Sequence, residues 1–314
     1  MADRAQPLGA GLRFGAGGAA ALVAALTLLP LGAVLMRGGG IAMLGPADWA
    51  AVRFTLVQAT LSAAISLALA VPVARALARR RFPGRGLLVT LLGAPFILPV
   101  VVAVMGILAI FGRGGFLNDA LAAIGLGRVS IYGLGGVILA HVFFNLPLAV
   151  RLLLQGWLEI PAERFRLAGA LGFGPAEIAR HLERPMLRAL APGLFATIFL
   201  LCLTSFAVVL TLGGGPRATS VELAIYQAFR FDFDLSRAAA LASLQLLLCA
   251  LTALAATRLA VPSAFGAGLD RPLARWDAGA PALRALDAAV IGLAALFLAA
   301  PLAAVVLSGV PRLA

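Results

Sequence analysis

An all-α fold, a polytopic transmembrane helix bundle, is what this sequence predicts, on three observations. The mean hydropathy is +1.04 and 62% of the 314 residues are hydrophobic, more apolar surface than a soluble domain of this length can hide. Runs free of charge recur at lengths of roughly 20 residues, enough for a helix to cross a hydrocarbon core of about 30 Å. The basic residues, all of them arginine, are spread unevenly over the connections between those runs.

Taken in order, the apolar runs cover 19–36, 54–74, 87–111, 134–150, 190–212, 238–257 and 288–308, so seven spans are expected. No small-residue cleavage site closes the first, which is therefore read as a span and not as a signal peptide. With the N-terminus in the cytoplasm, 17 of the 25 arginines fall on the inner side. These include the cluster Arg75, Arg79, Arg80, Arg81 and Arg85, six between Arg151 and Arg188, and four between Arg258 and Arg284. Such an asymmetry is the positive-inside rule. It accounts for the net charge of +12 without a nucleic-acid partner and reads "RRRFPGR" (79–85) as a topology anchor.

Several function classes drop out. A chain with no lysine has no Walker-type phosphate loop, so any ATP energy has to come from a partner subunit. His141 and His181 lie in separate segments, and no His/Cys/carboxylate spacing fits a metal site or a cofactor. Cys202 and Cys249 fall inside spans, where cysteine acts as a small hydrophobe. No carboxylate falls within the spans as bounded here, Asp287 at the edge of the last being the nearest, so the usual sign of ion coupling is missing. No covalent chemistry is expected of the chain. An intramembrane hydrolase using a serine or His141, and a secondary transporter, are the rivals from other classes.

Polarity concentrates in one connection. Residues 159–188 carry nine charged side chains and a histidine, on the arginine-rich side. Pro161 and Glu163 suit the first turn of a helix over 161–171, and Gly172 suits its C-terminal cap. A second short helix starts at Gly174 and Pro175 and is bounded by Pro185. Ile178 and Leu182 share one face of it at i, i+4.

That loop resembles the signature of the permease subunits of type I ATP-binding cassette importers, in which E-A-A, three residues and Gly are followed about a dozen residues later by Pro. Ala168, Gly172 and Pro185 match, while Arg166 stands where the family usually has Glu and Leu167 where it has Ala. Within the family, "RRRFPGR" (79–85), "AHVFFNLPLAVRLLLQ" (140–155) and "LTLGGGPRATSVELAIYQAFRFDFDLSRAAALA" (210–242) are similar to permeases for thiamine and thiamine phosphates, which also tend to lack that Glu. Iron(III), polyamine and sulfate permeases share the fold and are the neighbouring alternatives. The resemblance implies a bacterial inner-membrane, multi-pass importer subunit that works with ABC ATPase subunits, a periplasmic substrate-binding protein and a second permease half. It makes 156–189 the ATPase-coupling loop, with Arg166, Ala168, Gly172, Phe173, Ile178, Leu182 and Pro185 as its candidate residues, and Ile178 with Leu182 is expected to be the apolar stripe that docks on the ATPase.

Polar residues within the spans are candidates for the translocation pathway. Gln58, Ser62 and Ser66 recur on one stripe of the second span, and His141 and Asn145 on the fourth, while Thr204 and Ser205 lie in the fifth. Hydrogen bonding between helices is the simpler reading for the hydroxyls; for His141 and Asn145 both readings stay open. Phe229, Phe231 and Phe233 alternate with charged residues on the outer side, fitting either a headgroup-level anchor or a contact with a substrate-delivering protein. The first and last spans share a proline between small and aliphatic residues. Residues 1–257 are thus expected to form a six-span permease domain, 258–284 a cytoplasmic linker, and 285–314 the first span of an incomplete second half.

Overall fold

A computed structural model of the protein describes residues 10–37, 40, 43–93, 95, 98–259 and 278–309. Helices α1 (Ala10–Arg37), α2 (Pro46–Arg79), α3 (Arg85–Leu91), α4 (Val100–Phe111), α5 (Phe116–Ala123) and α6 (Leu134–Leu158) form the first part of the bundle. They are followed by α7 (Ala162–Ala170), α8 (Pro175–Ile178), α9 (Arg184–Leu203), α10 (Ala207–Leu212), α11 (Val221–Arg230), α12 (Leu235–Leu259) and α13 (Pro281–Gly309). No strand occurs among the described residues. Among the described residues, six segments are long and apolar enough to cross a membrane: Pro46–Arg79, Val100–Ala123, Leu134–Leu158, Pro175–Leu203, Leu235–Leu259 and Pro281–Leu307. The first expected span lies in α1, whose described apolar stretch is shorter, Gly18–Val34. Most of the expected linker, 260–277, lies outside the described residues.

Two expected spans are broken. The run 87–111 divides into α3 and α4, and Pro99, which has no N–H to give and disfavours helix before it, stands as the N-cap of α4. The run 190–212 divides at Thr204–Phe206 between α9 and α10. Pro185 does not bound the short helix α8 as expected. The chain stays helical from Pro175 through a π-turn, Ala179–Glu183, into α9, where Pro185 sits in the first turn. A proline there cannot return a bond to His181 and its ring crowds that carbonyl, and a widened turn relieves both.

The long helix α2 is the spine. It lies along α6 and α9, and α13 packs against α4 and α2. The main core draws Ala59, Ala63, Leu77, Ile107, Phe143, Leu153, Ile178 and Ile198 from these helices, together with Ile291, Ala294 and Leu298 of α13. Gly106 lets α4 and α13 approach closely, since a Cβ there would collide with the Pro301 carbonyl. Phe297 of α13 packs edge-on against Phe143. A smaller core, with Val52, Val221, Ala224, Leu241 and Leu244, joins α2, α11 and α12.

Charged side chains pin both ends of the bundle. Asp287 of α13 accepts from Arg79 at 2.6 Å and Arg80 at 2.7 Å, and Arg80 also donates to the Ala278 carbonyl. Glu183 pairs with Arg75 at 2.6 Å. "RRRFPGR" is therefore more than a topology anchor, because its first two arginines are buried or nearly so and hold α13 to α2. At the opposite end Arg237 of α12 grips Asp48 of α2 at 2.7 Å and Asp232 at 2.9 Å.

Candidate functional site

Two sites emerge, one in the bundle and one on the arginine-rich loop. In the bundle, the break after α9 frees the carbonyls that end that helix, and a polar atom left unpaired there costs free energy. Neighbouring helices supply donors. Gln58 Nε2 of α2 donates to the Cys202 carbonyl at 2.8 Å, and Gln245 Nε2 of α12 donates to the Leu203 carbonyl at 2.9 Å. Ser205, inside the break, meets His141 Nε2 at 2.7 Å, and the other ring nitrogen, Nδ1, lies 3.2 Å from Ser62 Oγ. A neutral imidazole has one donor and one acceptor nitrogen, so one serine donates to it and the other accepts. Asn145 Nδ2 reaches back to the His141 carbonyl at 2.8 Å and to Cys202 Sγ at 3.4 Å.

Of the sequence-predicted pathway residues, Gln58, Ser62, His141 and Asn145 are buried together between α2, α6 and α9, and Ser205 joins them. Ser66, on the same stripe, is buried with no hydrogen-bond partner among the described residues. Thr204 is exposed, and its hydroxyl donates to the Leu200 carbonyl. Gln245 was missed because it stands alone in an Ala/Leu-rich run, and only the break it caps gives it a role.

On the loop, α7 ends as the sequence predicts. Gly172 has φ +69°, the left-handed region that glycine alone enters without steric cost, and Phe173 N donates to the Ala168 carbonyl at 2.9 Å. Ala168 is buried, and Phe173 packs its ring against His181 at 5.6 Å. Glu177 accepts from Gly174 N at 3.0 Å and so fixes the start of α8. One expectation is corrected. Ile178 and Leu182 do share a face, but it points into the chain's own core, where both are buried, so they offer no docking stripe. The loop leaves apolar surface open at Leu167 of α7, 62% exposed, and four residues on at its C-cap Leu171, 63% exposed. Arg166 faces outward with Glu163 3.8 Å away.

Comparison with known proteins places this geometry. No family model matches the chain. It is 49% identical over 267 residues to the thiamine transport system permease protein ThiP of Escherichia coli (strain K12), which covers 84% of this chain and 49% of that protein. It is 44% identical over 263 residues to ThiP of Brucella abortus (strain 2308), covering 83% of this chain and 48% of that one. The sulfate transport system permease protein CysW of Synechococcus elongatus is 30% identical over 122 residues, 39% of this chain and 42% of that protein. The chain spans about half the length of the thiamine permeases it matches. Its fold is that of a chain of a bacterial alginate ABC transporter, solved in complex with an alginate pentasaccharide-bound periplasmic protein. There the TM-score is 0.65 at 15% identity, over 79% of this chain and 93% of the other. The resemblance to type I importer permeases read from the sequence is borne out by these relatives and by this fold.

Proposed function

We propose that this chain is one half of the transmembrane permease of an ATP-driven importer, carrying thiamine or thiamine phosphates across the bacterial inner membrane. The observation that carries the reading is the 44–49% identity to thiamine permeases over more than four fifths of the chain. In this reading the N-terminus is cytoplasmic, as the arginine asymmetry requires, and the arginine-rich end of the bundle faces the ATPase. The described helices from α1 to α12 form the first half, and α13 opens the second half while seated on α2 and α4 of the first.

Force enters at the loop. ATP binding closes two ATPase subunits, α7 and α8 move with them, and the bundle alternates access to a central path. Leu167 and Leu171 supply the apolar contact with the ATPase. The Gly172 turn sets the angle between α7 and α8, and Ile178 with Leu182 anchors the loop in the core, so that its movement is passed to α9 through the continuous helix. A periplasmic binding protein delivers substrate at the opposite end.

The test is complementation. Expressed with the remaining half, the ATPase and the binding protein, the chain should restore growth of a thiamine auxotroph on low external thiamine. Leu167→Asp should abolish that growth and the co-purification of the ATPase while the protein still inserts in the membrane. Restored uptake of sulfate or iron(III), with none of thiamine, would move the chain to a neighbouring substrate group.

A further inference from the structure

Among the described residues one half-buried carboxylate takes no part in the ion pairs that pin the bundle. Glu222 is the second residue of α11, a ten-residue helix that lies antiparallel to α12 and joins it through a short turn. The start of α11 is sunk into the bundle. Val221 N donates to Thr55 Oγ1 of α2 at 2.9 Å, and Val221 packs in one cluster with Leu241 and Leu244. Thr55 is seven residues beyond Asp48, which puts the start of α11 roughly 10 Å down α2 from the Asp48–Arg237 pair at 1.5 Å per residue, where the apolar run 54–74 begins. Leu244 is as far along α12 from Arg237 and gives the same level. Glu222 is half-buried at this level and joins no ion pair among the described residues.

A half-buried carboxylate at the outer edge of that run faces water or a partner and not hydrocarbon. Its own helix continues the wall. Tyr226, one turn on, lies on the same face. The Tyr226 ring sits 5.2 Å from that of Phe206, in the break between α9 and α10, and 5.7 Å from that of Phe231 near the outer end. Phe206 follows Thr204 and Ser205 directly, so the aromatic run touches the pathway candidates at the break. The result is a line of three rings leading inward from the outer end toward a lone anionic group.

We propose that Glu222, with Tyr226 and Phe206 beside it, is a recognition subsite for an organic cation on the translocation path. It rests on the importer reading above and deepens it. The ligand chemistry follows from the groups present. A carboxylate without a basic partner attracts fixed positive charge, and ring faces add cation–π attraction that grows when water is excluded. Thiamine suits both, because its thiazolium ring carries a permanent charge and its pyrimidine is flat and bears N–H donors. The second permease half closes the open side of this face.

The experiment uses the complete importer, with its second half, ATPase and binding protein, in proteoliposomes. Glu222→Gln should lower thiamine uptake about tenfold or more, as loss of one partner of a desolvated charge pair does. Glu222→Asp should retain most of the uptake, and binding-protein-stimulated ATP hydrolysis should persist in both. Tyr226→Leu should lower uptake by a smaller factor. In a background with Cys202 and Cys249 replaced by serine, Glu222→Cys should react with a water-soluble cationic thiol reagent, and thiamine-loaded binding protein should protect it. Wild-type thiamine uptake by Glu222→Gln, or a Glu222→Cys thiol that the reagent does not reach, overturns the subsite alone. Uptake of sulfate by the wild type in place of thiamine overturns the substrate reading, and this cation subsite with it.

Discussion

The two ends of the bundle treat their carboxylates differently. At the arginine-rich end Asp287 sits between two arginines and Glu183 against a third, each pair joining helices far apart in sequence. At the opposite end Asp48 is held by Arg237 in the same way, but Glu222, deeper in, is left without a basic partner among the described residues. A paired buried charge fixes one helix against another, because removing either member leaves the other stranded. An unpaired one fixes nothing within the chain and is free to meet something that passes. One end therefore closes its buried carboxylates into pairs, and the other leaves Glu222 outside its pair.

The sharpest way to break this comparison is to remove the anion from the clamp. Asp287→Ala strands Arg79 and Arg80, whose side chains are 4% and 18% exposed, and should destabilise the protein by about 3–5 kcal/mol. The loss should appear as a lower unfolding temperature in detergent and as easier proteolysis of α13. Asp287→Glu, which keeps the charge, should recover part of it. Glu222→Gln, by contrast, should leave the unfolding temperature unchanged, since it removes no internal pair. Equal effects on stability from the two positions would erase the distinction between them.

How much of this was legible in the sequence depends on the range of the interaction. The membrane class, the six long spans and the helix–glycine–helix loop follow from hydropathy, proline and glycine placement, all of which act within a few residues. Gly172 was found because a left-handed cap needs only its own backbone to be argued. The breaks at Pro99 and Thr204–Phe206 were missed because an apolar run looks continuous whether or not its backbone is, and in the second case the compensating donors, Gln58 and Gln245, come from other helices. Ile178 and Leu182 were rightly placed on one face and wrongly turned outward, because periodicity shows which residues share a face but not what that face meets. Asp287 read as an edge residue for the same reason, its partners lying more than 200 positions earlier. The packing of α11 that seats Glu222 at the outer edge of the apolar run has no hydropathy signal, since ten residues are too few to register as a span.

A second test sits on the loop, where the expected effect on stability is smaller and the effect on function larger. Gly172 has open space where a Cβ would be, so Gly172→Val strains only the backbone, by roughly 1–2 kcal/mol. Membrane insertion and the unfolding temperature should change little. ATPase association and uptake should fall, because relieving the strain turns α7 against α8 and displaces Leu167 and Leu171. Gly172→Ala, strained but less bulky, should fall between the two. If Gly172→Val binds its ATPase and transports as the wild type does, α7 and α8 are a headgroup-level surface feature and not the coupling device.

The smallest effect belongs to the charge that departs from the importer signature. Arg166 is about half exposed, and Glu163, of opposite sign, is 3.8 Å away and equally exposed. Such i, i+3 pairs at a surface add close to nothing to stability, because water screens them and both side chains lose freedom to meet. Arg166→Ala should therefore leave the unfolding temperature where it was. Its effect on ATPase association separates two kinds of contact. If α7 docks through Leu167 and Leu171, association should survive Arg166→Ala and depend weakly on salt, since apolar burial is not screened. If the arginine makes the contact, association should fall with the substitution, and the wild-type complex should already weaken as ionic strength rises. Measuring ATPase retention for Arg166→Ala, Leu167→Asp and the wild type across a salt series decides between them, and loss confined to Leu167→Asp is the expected result.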